Sequence, residues 1–148
     1  ADHLCLYDAE NGLMLTGDHV LPTITPHISG FADGEAPLKK FMDSLQRMHD
    51  YSDVTLAMPA HGDPFTDLTG RADHICGHHL ERLDEFRAAA AELETANVNA
   101  YMKHAFKERS WGSMAESETY AHLDHLRDHG ELDTTWVNGL LHFTQPGL

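Results

Sequence analysis

The chain has 148 residues, enough for one ordinary domain or two small ones. Apolar residues make up 41% and charged residues 23%, which is a globular composition and not a disordered one. A net charge of −14 sets the surface against nucleic-acid backbones and anionic lipid. No apolar run reaches the roughly 18 residues that a membrane-spanning helix needs. The two cysteines, Cys5 and Cys76, each sit inside an apolar pattern. That predicts reduced, buried thiols and a cytoplasmic protein.

The chain opens on an apolar run, Leu4–Tyr7, and a second run, Leu13–Thr16, follows the Asn11-Gly12 turn signal. The pair predicts a β-hairpin. Opening directly on a strand predicts a fragment of a longer protein. From His19 to Glu35, Pro22, Pro26, Gly30 and Gly34 break the pattern into a long loop, more often functional than a spacer. Pro37 suits a first helical turn, and Leu38, Phe41, Met42, Leu45 and Met48 recur at helical spacing. Val54–Met58 reads as a buried strand that runs into the loop Pro59-Ala60-His61-Gly62. A long helix is expected from about Asp67 to Thr95, with an apolar stripe through Ala72, Ile75, Cys76, Leu80, Leu83, Phe86, Ala90 and Leu93.

Composition shifts near Thr95-Ala96-Asn97, so the chain is divided into domains 1–95 and 96–148. In the second, Val98–Phe106 predicts a short helix, and Ser117 is read as the cap of a helix that ends at Gly130. Two strands then flank Asn138-Gly139, the strongest hairpin signal in the chain. Helices followed by a hairpin make the plan of a winged helix. Charge argues against DNA: residues 95–148 carry four bases against seven acids, a net of −3. Single-stranded RNA stays open as a substrate.

Asp18 and His61 each follow an apolar strand, where layered α/β folds place ligand sites. A carboxylate and a neutral imidazole suit zinc or a related divalent ion. His74 and His78 also share a helical face, but Gly77 stands between them where a zincin motif has an acidic base. His122, His125 and His129 are read as solvated, and Cys76 as a core thiol.

The stretches Asp2-His3-Leu4-Cys5-Leu6-Tyr7, Leu15-Thr16-Gly17-Asp18-His19-Val20-Leu21-Pro22 and Pro59-Ala60-His61-Gly62 resemble the second half of the metallo-β-lactamase superfamily. The run from Gly17 to Pro26 resembles its hydrolase branch with an added winged helix. The resemblance implies an α/β (α+β) fold, the C-terminal half of an αββα sandwich followed by a small winged-helix domain. It implies that Asp18 is the metal-bridging aspartate and His61 the last histidine ligand of a site that holds two zinc ions in the intact protein. His27 is placed at the substrate pocket. The family's His-x-His-x-Asp-His motif has no counterpart here, so no catalytic residue is assigned and the isolated chain is expected to be inactive. The expected activity of the whole is hydrolysis of a small ester, thioester, lactone or phosphodiester by metal-activated water. The alternative is a non-catalytic binding or assembly module that keeps the fold. Half a sandwich exposes a sheet face, which predicts self-association.

Overall fold

A computed structural model of the chain describes residues 3–30 and 36–147. Asp2 of the first resemblance motif, and Gly34 and Glu35 at the end of the expected loop, lie outside the described residues. The chain divides into two compact units, Ala1–Pro26 with Phe41–His79, and His27–Lys40 with Leu80–Leu148. The division at residue 95 expected from composition is therefore not where these units part. They part inside the long helix, and residues 27–40 go with the second unit.

In the first unit the hairpin forms as its turn signal predicts. Strand β1 (Leu6–Asp8) runs antiparallel to β2 (Leu13–Gly17), with Leu6 opposite Leu15 and Tyr7 opposite Met14. Gly12 has φ +63, and a Cβ there would lie 3.0 Å from the Thr55 hydroxyl, so the turn needs glycine. Helix α1 (Pro37–Gln46) starts in the second unit, crosses into the first, and continues there as a 3-10 turn over Arg47–Tyr51. The next strand, β3 (Leu56–Pro59), begins two residues later than its apolar run and pairs parallel with β2. Helix α2 (Leu68–Leu93) then covers the sheet with its first half. Met14, Val20, Leu45, Met48, Val54, Ala57, Leu68, Ala72, Ile75 and Cys76 form the core. Cys76 is buried on this stripe, as a core thiol should be.

In the second unit α2 continues with Leu83, Phe86 and Ala90 buried, whereas Leu80, expected on the same stripe, is 48% exposed. Strand β4 (Thr95–Asn97) lies where the sequence suggested only a boundary. Three residues are too few for an alternating pattern to be visible. Asn97 caps α3 (Val98–Ala105) by accepting from the Ala100 amide at 3.0 Å. Helix α4 (Ser113–Asp128) starts a turn before Ser117. Ser117 is thus an interior residue, 4% exposed. The Gly30 amide donates to its hydroxyl and to its carbonyl, each at 3.1 Å. Strands β5 (Asp133–Val137) and β6 (Leu140–Thr144) form the expected hairpin, and β6 also pairs with β4, giving the order β4-β6-β5. Asn138 and Gly139 have φ 52 and 78, the left-handed pair that a type I′ turn requires.

Of His122, His125 and His129, the first two correct the sequence reading, while His129, just past the end of α4, is exposed as expected. His122 is fully buried, its Nδ1–H donating to the Glu118 carbonyl at 2.8 Å and its ring 5.8 Å from that of Phe86. His125 is half-buried, its ring tilted 33° to that of His129 with 4.2 Å between the centres. The spacings of three and four gave these residues a shared face but could not say which way the face turns.

Two outcomes follow from this packing. A methyl group at Gly30 would stand 2.6 Å from the Ala121 nitrogen and 2.7 Å from the Ser117 carbonyl. Gly30→Ala should cost about 1–3 kcal/mol in urea unfolding, since the neighbours are helix backbone. Burial, with His129 and Arg87 adding to it, holds the His125 pKa below its ordinary value of 6.5. The folded state thus binds the proton less well than the unfolded state, so stability is full above about pH 6.5 and declines as pH falls from there towards the lowered folded value. His125→Gln should flatten that decline in urea melts taken between pH 7 and 5; an unchanged slope would count against the assignment.

Candidate metal-binding pair

Residues that leave adjacent strands at the same end of a sheet are brought together when the strands run parallel. Strand β2 is in step with β3 from Leu13–Leu56 to Leu15–Met58, and the register then shifts, so that Gly17 stands opposite Pro59. Two residues of β2 face one of β3 at this bulge, which bends the strand and re-aims the residues beyond it. Thr16 is buried in the bend and its hydroxyl donates to the Val20 carbonyl at 2.9 Å. Gly17 has φ 54. One further ladder bond, the Ala60 amide to the Gly17 carbonyl at 2.9 Å, carries the pairing past the strand ends.

Asp18 and His61 emerge immediately beyond that bond. Nδ1–H of His61 donates to Oδ1 of Asp18 at 2.5 Å. The His61 side chain is 73% exposed and that of Asp18 36%. An ion pair this open contributes little to stability. The contact instead leaves one carboxylate oxygen, Oδ2, and one imidazole nitrogen, Nε2, as an O and N donor set of the kind divalent zinc accepts. Two protein donors fall short of the three that a catalytic zinc site uses. Among the described residues no third His, Cys, Asp or Glu joins them in a metal-holding group.

The loop beyond Asp18 is fixed by a residue that the sequence did not flag. Arg71, in the first turns of α2, donates from Nε to the Leu21 carbonyl at 2.6 Å and from Nη2 to the Ile24 carbonyl at 2.8 Å. The same guanidinium meets Nδ1 of His74 at 3.0 Å. This gives His74 a structural partner and accounts for one member of the His74–His78 pair. Burial lowers the Arg71 pKa, yet a guanidinium stays charged at any ordinary pH. Pro22 of this loop packs on Gly62, where a Cβ would lie 2.8 Å from the proline Cγ. The loops that carry Asp18 and His61 are therefore held against each other by shape as well as by the hydrogen bond. His19, 6% exposed, accepts or donates through Nε2 with Ser44 at 2.8 Å, and burial lowers its pKa.

His27, expected at the substrate pocket, belongs to the second unit. Its Nδ1 stands 3.6 Å from Oε2 of Glu118 on α4. Arg82, which follows the His78-His79 pair, bonds Glu85 and lies 4.5 Å over the Phe106 ring.

The chain is similar to solved structures of metallo-β-lactamase type. One is a metallo-beta-lactamase family protein from Thermus thermophilus, 30% identical, matched over 92% of this chain and 42% of that one with a TM-score of 0.77. Another is a beta-lactamase domain protein from Burkholderia ambifaria, 30% identical, matched over 95% of this chain and 43% of that one with a TM-score of 0.85. The mixed α/β arrangement is thus that of metallo-β-lactamase-fold proteins, and the chain spans less than half the length of each of these two. No protein-family model and no curated protein matches it.

Arg71→Ala removes a charged donor from two carbonyls. It should lower stability by about 1–3 kcal/mol and speed amide exchange in the 19–26 loop. Arg71→Lys should recover little of either, because one ammonium cannot reproduce the fork. Full recovery by lysine would show that charge alone is what matters.

Proposed function

We propose that this chain is the C-terminal portion of a metal-dependent hydrolase and that Asp18 and His61 are two ligands of its metal site. The observation that carries the reading is the Asp18–His61 contact at 2.5 Å, made by two strand-end residues 43 positions apart. When bound, a divalent metal, zinc by donor type, would supply Lewis acidity and an activated water for attack on an ester, thioester, lactone or phosphodiester. The protein's own part is positional. His61 holds one oxygen of Asp18 through Nδ1–H and keeps the Nε2 lone pair as a donor. Asp18 in turn orients the imidazole, as carboxylates commonly do for ligating histidines. Arg71 and the Pro22–Gly62 contact fix the two loops so that neither donor must be ordered when a metal arrives.

The second unit, with helices α3 and α4 and the antiparallel sheet β4-β6-β5, supports the winged-helix reading. The net charge of −3 over residues 95–148 supports a packing role over DNA binding. His27, an exposed residue, is retained as a substrate contact of this reading. Two free thiols, Cys5 and Cys76, support a reducing, cytoplasmic setting. Among the described residues no helix is long and apolar enough to cross a membrane.

A second reading, a non-catalytic binding or assembly module, draws on the pair having no third ligand among the described residues. The two readings part on one measurement. In a longer protein that contains this chain, Asp18→Ala and His61→Ala should each reduce bound metal and hydrolysis together, by tenfold or more. Metal retained at unchanged stoichiometry in both variants would favour the module.

A further inference from the structure

Helix α4 ends in a pair of histidines that the Asp18–His61 site does not use. His125 and His129 are spaced i, i+4, so their side chains project from one face at the end of the helix. Their ring centres are 4.2 Å apart, with 33° between the planes. Zinc holds an imidazole nitrogen at about 2.0–2.1 Å, so two rings this close are within reach of one ion. The histidines of a zincin helix bind zinc from the same spacing.

The hydrogen bonding of the two rings suits that contact. Nδ1–H of His129 donates to the His125 carbonyl at 2.7 Å. The bond fixes the tautomer and leaves Nε2 as the lone-pair nitrogen. A ring N–H given to a backbone carbonyl is the usual support of a ligating histidine. Nδ1 of His125 is buried and has no hydrogen-bond partner. No bond holds that ring to one tautomer, and an unpaired buried nitrogen is a cost that a ligand can remove.

The surroundings favour a cation. The last turn of a helix presents the negative end of its dipole. Asp84, Asp124, Asp128 and Glu131 outnumber the two guanidiniums they are bonded to, Arg87 and Arg127. Arg87 takes both oxygens of Glu131, at 2.5 and 2.8 Å. Among the described residues no third His, Cys, Asp or Glu completes a metal-holding group. Water fills the remaining positions of an ion held this way, which makes the site exchangeable and not structural. Imidazole donors suit zinc, copper or nickel, whereas calcium and magnesium take oxygen.

We propose that His125 and His129 form a second cation site, a two-histidine clamp for a divalent transition metal at the end of α4. A bound ion ties the last helical turn to the residue that leads out of it. The proposal is independent of the Asp18–His61 reading.

The test is a zinc titration of the nitrogen-labelled 148-residue chain near neutral pH. Imidazole nitrogen resonances report each histidine separately. Those of His125 and His129 should shift together along one binding curve, and calcium should shift neither. His129→Gln, at an exposed position, should weaken the His125 response tenfold or more and leave the far-UV spectrum unchanged. Asp18→Ala should leave both responses as they are, which separates this site from the first. The proposal is overturned by unrelated zinc affinities at the two rings, by a His125 response that survives His129→Gln, by loss of both responses in Asp18→Ala, or by no response at either ring.

Discussion

Asp18 and His61 are 43 residues apart in sequence and share a hydrogen bond because β2 and β3 run parallel and end together. An antiparallel pairing of the same two strands would send their following loops to opposite ends of the sheet. A register shifted by one residue would turn Leu13 and Leu15 into the helix-covered core and Met14 out of it. The burial of Met14 and Ala57 thus enforces the register, and the register enforces the pair. Among the described strands, the bulge at Thr16–Gly17 is the one departure from a regular ladder. It occurs where the chain must stop being a strand and present a carboxylate.

Most of this was readable from the sequence wherever the signal was local. Asn11-Gly12 and Asn138-Gly139 marked both hairpins because the left-handed backbone of a tight turn leaves few residue choices. The long helix showed through its stripe, although Leu80 carries an apolar side chain on an exposed position. Strand β4 was not legible, since three residues paired to a strand 45 or more positions away carry no pattern of their own. Ser117 was misread for a related reason. A serine before an apolar run looks like a cap, yet here its hydroxyl serves the Gly30 backbone from inside the helix.

The same contrast holds at the site. Asp18 and His61 were visible as strand-end residues of metal-ligating type, and their proximity is what the fold adds. Arg71 carried no signal. Its role depends on two carbonyls, and a carbonyl belongs to every residue alike. Of the thirteen histidines, identity said little and surroundings decide. His122 is packed against Phe86, His74 shares the Arg71 guanidinium, and His61 alone among these three faces a carboxylate in the open.

The exposed pair and the exposed sheet face are one problem seen in polar and apolar terms. Leu6, Leu15 and Met58 on that face are already about half covered, so completing the burial of each would be worth only about half of the roughly 1.5–3 kcal/mol of a full transfer, a gain that is independent of metal. An O and N donor pair with two ligating atoms to spare gains its own driving force only when more donors arrive. On the proposed metal reading, a cation would add its binding free energy only where further donors complete the pair.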